Sequence, residues 1–176
     1  MLRDVLYNSA ALINDREELA GVYRKVHLFA REKDWFRPGN DYPVFDTSLG
    51  RIGIRICDDA LFPEPARILA LHGADLLVIP TNWEKPCDQD WETAIGARAL
   101  DNTLHVVGAN RIGPDVDYDS LGKSRIIDPL GRVIAALDDE IEGHVTAEID
   151  LDETSRLRQG YSILLSFPSG GAARGG

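Results

Sequence analysis

RIGIRICDDALFPE, residues 51–64, is the stretch on which the fold turns. Ile52, Ile54 and Ile56 alternate with Gly53, Arg55 and Cys57, the two-residue period of a strand with one apolar face. The pattern then breaks. Two aspartates, Asp58 and Asp59, lead to Pro63, a residue suited to the first turn of a helix. A strand that ends on a cysteine just before a helix exposes the sulfur at the sheet's edge, where backbone N–H groups favour an anion. The two aspartates act in the opposite sense, because nearby carboxylates disfavour a second negative charge. A nucleophilic Cys57 therefore needs a cation close by. Without one, it is a small buried hydrophobe, and position alone supports both readings.

Outward from this stretch, VFDTSLGRIGIRIC (44–57) reads as a hairpin turning at Ser48 to Gly50. PEPARILALHG (63–73) reads as a short helix with Ile68, Leu69 and Leu71 as its apolar stripe and Gly73 capping its end. ADLLVIP (74–80) is almost continuously apolar, the pattern of a strand covered on both faces. DWETAIGARALDN (90–102) is a second helix and LHVVGANRI (104–112) a further buried strand. Three shorter strands follow, KSRIID (123–128), RVIAAL (132–137) and HVTAEID (144–150), before a last helix over DETSRLRQ (152–159) with Asp152 as its N-cap. Upstream, VLYNSAALIN (5–14) is a strand and DREELAG (15–21) a turn. VYRKVHLF (22–29) is a short strand or extended loop, and REKDWFRPGNDYP (31–43) a polar loop. Alternating helices and strands flanked by hairpins predict a layered α/β fold with mixed sheets.

The 176 residues suffice for one domain with a real core, placed here over residues 1–167 with a flexible glycine-rich tail, PSGGAARGG, at 168–176. A formal net charge of −10 disfavours nucleic acid and anionic membranes as partners. No apolar run reaches membrane-spanning length, and the first residues lack the layout of a signal peptide. Cys57 and Cys87 have no CxxC or histidine-rich spacing, so neither a disulfide framework nor a zinc site is expected. There is no glycine-rich phosphate loop, and no cofactor is expected. The default compartment is the reducing cytoplasm.

The candidate cation is Lys25, set among the apolar Val26, Leu28 and Phe29. A segment that wants burial carries a lysine only with a partner or with its head group reaching solvent. Glu32, seven residues on, either pairs with Lys25 or is one more solvated charge in REKD.

YRKVHLF, then Glu32 and Pro38-Gly39, then GIRICDDALFPEPARILALHGADLLVIPTNW closely resemble the carbon–nitrogen hydrolase (nitrilase) superfamily. The match continues through RALDN (98–102), ANRIG (109–113), GKSRIIDPLGRVIA (122–135) and EIDLDE (148–153). The resemblance implies an α-β-β-α sandwich and a thiol hydrolase of non-peptide C–N bonds, with Cys57 as nucleophile. By the same resemblance Lys25 and the backbone N–H of Asp58 stabilise the oxyanion, Glu32 orients the lysine, and Asn82 and Trp83 form the pocket wall. Trp-Glu, common after the cysteine of true nitrilases, is replaced by Asp58-Asp59, which points to amides or N-carbamoyl compounds. Assembly as a homo-oligomer is also expected by resemblance.

The family's general-base glutamate lies well upstream of the lysine, whereas 24 residues precede Lys25 here and match a later family strand. Glu17 and Glu18 do not fit the motif. The expectation is an N-terminally truncated sandwich whose base lies before Met1. Absence of a positioned base lowers a rate by about 10²- to 10⁴-fold. The alternative is an inactive module of the same fold that binds a partner, or half of a split enzyme completed by another chain.

The remaining polar residues read as structural. His27 is expected to pack or hydrogen-bond locally, His72, His105 and His144 to be structural, and Cys87 to be an exposed thiol in a polar loop. Glu64 and Arg67 are spaced for a surface pair, and Asp101 stands where relatives often carry glutamate. The acidic run 138–142 reads as a solvated turn. Arg55 and Arg111 are either contacts for a substrate carboxylate or partners for the many acids.

Overall fold

The computed structural model describes residues 5–137 and 141–160; the tail at 168–176 and most of the acidic run lie outside them. The chain opens with β1 (Ser9–Ile13) and β2 (Leu19–Arg24), an antiparallel pair that turns Ala10, Leu12 and Tyr23 inward. The strand starts at Leu19, so the turn is shorter than the sequence predicts. After a four-residue helix, α1 (Glu32–Trp35), the hairpin β3 (Val44–Thr47) and β4 (Gly50–Ile54) turns at Ser48-Leu49 as expected. A 3-10 turn over Cys57–Leu61 leads into α2 (Pro63–Leu71), then β5 (Leu76–Thr81), α3 (Asp88–Asn102) and β6 (His105–Asn110). A small hairpin, β7 (Ile112–Pro114) with β8 (Asp119–Leu121), precedes β9 (Arg125–Ile127), β10 (Val133–Ala136) and α4 (Leu151–Gly160).

Six strands form the central sheet in the order β10-β9-β6-β5-β4-β3. Its middle is parallel, β4 with β5 and β5 with β6, while both margins are antiparallel. The sheet is therefore mixed, as the alternation of elements predicts. One face packs on α2 and α3 through Leu69, Trp91, Ile95, Leu77, Ile79 and Val106. The other packs on the β1–β2 pair through Tyr23, Ile52, Ile54 and Ile56, with Leu76 and Val78 behind them. The described residues thus build a helix layer, a six-stranded sheet and a second, two-stranded sheet. Ile13, Leu19 and Val22 stand exposed on the outer side of the last.

Three sequence readings need correction. The buried stripe of α2 is Ala66, Leu69 and Ala70, while Leu71 is 50% exposed and Ile68 half-buried. Small residues face inward because α2 lies close against the sheet and α3, where a larger side chain would hold it off. Gly73 ends the helix in the left-handed region, at φ 85, as a cap requires. HVTAEID forms no strand: Val145 and Ile149 are half-buried, but no described segment offers it a ladder. Alternation marks an extended chain, and only a neighbour makes it a strand. Finally, Asp150 rather than Asp152 starts α4, accepting the Asp152 N–H at 2.9 Å through its carboxylate.

His105 ties α4 to the sheet. It is buried, with Nδ1 3.4 Å from Thr154 Oγ1 and Nε2 3.5 Å from Glu153 Oε2. Burial lowers its pKa, only partly opposed by Glu153 and other carboxylates. The folded state therefore takes up this proton less readily than the unfolded chain. His105 favours folding fully above the imidazole's ordinary 6.5, and that contribution is lost as pH falls from there toward the lower folded value. The thermal midpoint is expected to drop between about pH 7.5 and about pH 5.5, and His105→Gln to flatten that drop. An equal drop in both proteins would place the acid sensitivity elsewhere.

Candidate active site

The carboxyl ends of the three parallel strands converge at one edge of the sheet. Ligand sites of open α/β sheets form at such edges. From β4 the chain runs on through Arg55, whose N–H still bonds the Val78 carbonyl at 2.9 Å, and then turns at Cys57. Cys57 sits in the left-handed region at φ 49. For a residue with a Cβ this costs about 1–3 kcal/mol and persists only where surroundings impose it. Here Asp59 imposes it: its N–H donates to the Ile56 carbonyl at 3.1 Å and its carboxylate accepts the Ile56 N–H at 3.0 Å. Both backbone groups of Ile56 are fixed, and the sharp change of direction falls on the cysteine. The geometry resembles the turn that exposes the serine of α/β-hydrolases.

Lys25 follows β2 directly and is 1% exposed. Its Nζ donates to Glu32 Oε2 at 2.7 Å, so of the two readings open to this lysine the structure takes the paired one. Glu32 is held in turn. Oε2 also accepts the Phe29 N–H at 2.7 Å, and Oε1 accepts Asn8 Nδ2 at 2.8 Å. Three donors on one carboxylate hold it in place and, with it, the lysine it faces.

From β5, Asn82 and Trp83 continue past the sheet. The Asn82 side-chain oxygen accepts the Ser120 hydroxyl at 2.6 Å. Trp83 donates its backbone N–H to Asn110 Oδ1 at 2.8 Å and its indole N–H to the Cys87 carbonyl at 3.1 Å. Its ring lies 5.4 Å from that of Trp91. Lys25, Glu32, Cys57, Asp58, Asn82 and Trp83 all line one cavity of about 560 Å³. The Asp58 carboxyl is held above its ordinary range, chiefly by burial, with Lys25 opposing the shift.

Beneath the cavity lies a polar cluster that sequence patterning misses. Asp59 is 1% exposed and accepts the Tyr23 hydroxyl at 2.7 Å and the His27 N–H at 2.9 Å, with His27 Nδ1 at 3.0 Å. Arg55, also buried, donates to the Tyr23 oxygen at 3.1 Å and lies 3.6 Å from Asp59. Burial, reinforced by Asp59 against the opposing field of Arg55, keeps the Tyr23 phenol protonated. His27 is structural, but its partners are not local: it bonds Asp59 and stacks on Phe62 at 3.8 Å, both far along the chain. Neither arginine weighed for a substrate carboxylate lines the cavity: Arg55 belongs to this cluster and Arg111 pairs with Asp115. Arg67 donates to the Asp101 carbonyl rather than to Glu64. Cys87 is not an exposed bystander. The sequence places it among polar neighbours, but the turn into α3 folds it half-buried against the core, and it lines the same cavity as Cys57.

Residues 3–159 match the family model described as carbon-nitrogen hydrolase. The chain belongs to the carbon-nitrogen hydrolase family. It is 49% identical over 158 residues to a probable nitrilase of Schizosaccharomyces pombe, covering 90% of this chain and 58% of that protein. It superposes on the crystal structure of a carbon-nitrogen hydrolase from Helicobacter pylori G27 with a TM-score of 0.85 and 31% identity, over 93% of this chain and 63% of that one. A point mutant of the amidase from Nesterenkonia sp. AN1, with the acetamide moiety of fluoroacetamide added covalently at the active-site cysteine, matches with a TM-score of 0.76 and 25% identity, over 87% of this chain and 60% of that one. The chain thus spans a little over half the length of the curated relatives it matches. The fold of the described residues is that of the family's solved structures.

Proposed function

We propose that the chain carries the nucleophile and oxyanion site of a thiol-dependent amidase acting on a small amide or N-carbamoyl compound. The pairing of buried Lys25 with Glu32, both facing the same cavity as the strained Cys57, carries this reading. The Cys57 thiolate attacks the carbonyl carbon, and the developing oxyanion is received by Lys25 Nζ and the backbone N–H of Asp58. The C–N bond then breaks, and ammonia or an amine leaves with a proton. Water attacks the remaining thioester, releasing the carboxylic acid and restoring the thiol. Glu32, engaged through both oxygens, is assigned the orienting part, and proton transfer falls to another group. Asn82 and Trp83 form the wall that positions the substrate. Two free thiols suit a reducing compartment such as the cytoplasm.

The test is ammonia release from small amides and N-carbamoyl amino acids, with mass-spectrometric detection of the covalent intermediate on Cys57. Cys57→Ala is expected to abolish both. Turnover that survives Cys57→Ala would remove the reading. A second reading, a non-catalytic module or half of a split enzyme, draws on the exposed Ile13, Leu19 and Val22 of β1–β2. It predicts a Cys57 no more reactive than an ordinary thiol.

A further inference from the structure

The reading above needs Cys57 and Lys25 in fixed register, yet they come from different sheets. Cys57 follows β4 of the central sheet, and Lys25 follows β2 of the small one. One carboxylate spans the gap. Asp59 Oδ2 accepts the Ile56 N–H, immediately before the nucleophile, and the hydroxyl of Tyr23, two residues before the lysine. Asp59 Oδ1 accepts the backbone N–H of His27, two residues after the lysine. The Tyr23 oxygen additionally accepts the Val26 N–H at 3.3 Å, so both flanks of Lys25 converge on the same pair of side chains. Lys25 itself sends its charge the other way, to Glu32.

From this geometry we infer that Asp59 is a positioning residue, the clamp that sets the distance and orientation between the nucleophile and its cation. It lines no part of the cavity and touches no reacting atom. Its effect passes through Ile56 to the backbone of Cys57, and through Tyr23 and His27 to that of Lys25. Arg55 balances its charge in the buried cluster. A carboxylate is required because every neighbour it meets here is a donor: an amide places an NH₂ group against either Ile56 and Tyr23 or His27. The inference rests on Cys57 and Lys25 working together, as proposed above.

The test uses the full chain with Asp59→Asn, Tyr23→Phe and, as a control for lost stability away from the cavity, Ile127→Ala in β9. Iodoacetamide labelling of Cys57 and of Cys87 is followed separately by peptide mass mapping across pH, alongside kcat and KM for a hydrolysed amide. Asp59→Asn removes a carboxylate that opposes the thiolate, yet through the lost register with Lys25 it is expected to lower the ratio of Cys57 to Cys87 labelling by about 10- to 100-fold and to reduce kcat more than it raises KM. Tyr23→Phe is expected to shift the same ratio in the same direction by about threefold. Ile127→Ala lowers the melting temperature and leaves the ratio in place. An unchanged ratio in folded Asp59→Asn would overturn the clamp, as would an equal shift in Ile127→Ala. If Asp59→Asn fails to fold, the Tyr23→Phe ratio decides alone. Failure of the underlying reading looks different: turnover then survives Cys57→Ala.

Discussion

Lys25→Met is expected to cut amide turnover by about 10²- to 10³-fold, the usual effect of removing one oxyanion donor. Methionine fills nearly the volume of the lysine stem, so the fold has little reason to collapse. The charge is what goes. Glu32 keeps the Phe29 N–H and Asn8 as donors but loses its cation. Breaking a buried pair from one side commonly costs about 3–5 kcal/mol; the partial exposure of Glu32 places the cost at or below the lower end. Lys25→Met with Glu32→Gln should therefore regain part of the stability and none of the activity. Melting curves and steady-state rates on the three proteins check this. Unchanged turnover in Lys25→Met would separate the lysine from the chemistry.

Trp91→Ala is expected to be the most destabilising single change, by about 3–5 kcal/mol. Trp91 is completely buried in α3 and donates its indole N–H to the Lys123 carbonyl at 2.9 Å. The sheet is shaped to receive it: a Cβ on Gly108 of β6 would come within 2.6 Å of Trp91 Cζ2. Alanine leaves both a cavity and an unpaired carbonyl, and it removes the ring against which Trp83 rests. Denaturant titration should show a lower midpoint with an unchanged slope, and weaker substrate binding through the loosened wall. A loss below about 1 kcal/mol would mean that neighbouring side chains close the gap.

Much of this architecture was legible in residues 51–83. Alternating isoleucines announced β4 and its inner face, the apolar run 74–80 announced β5, and both strands occupy the middle of the sheet as such patterns require. Lys25 stood out because a lysine among Val26, Leu28 and Phe29 needs an explanation, and Glu32 is that explanation. In α2, hydrophobicity ranks Ile68 and Leu71 above Ala66 and Ala70, whereas close packing selects for small volume. In HVTAEID, alternation says nothing about whether a neighbour exists. Asp59 and Cys87 were hidden for a different reason. Their surroundings come from residues 23–27 and from the fold of the turn before α3, and no local pattern carries that information.

The parallel arrangement of β4, β5 and β6 bears on how the protein acquires its chemistry during folding. Cys57, Asn82 and Asn110 leave three successive parallel strands, and each pair of strands is joined through an intervening helix. Such pairings are non-local, and they form late and slowly compared with hairpins. Until β6 docks, Asn110 cannot hold the Trp83 backbone, and until β2 meets the central sheet no lysine faces the sulfur. A half-folded chain therefore carries an ordinary thiol. On the proposed function, the appearance of a selectively reactive Cys57 would report that these distant contacts have all formed, and so would serve as a clock for the completion of folding.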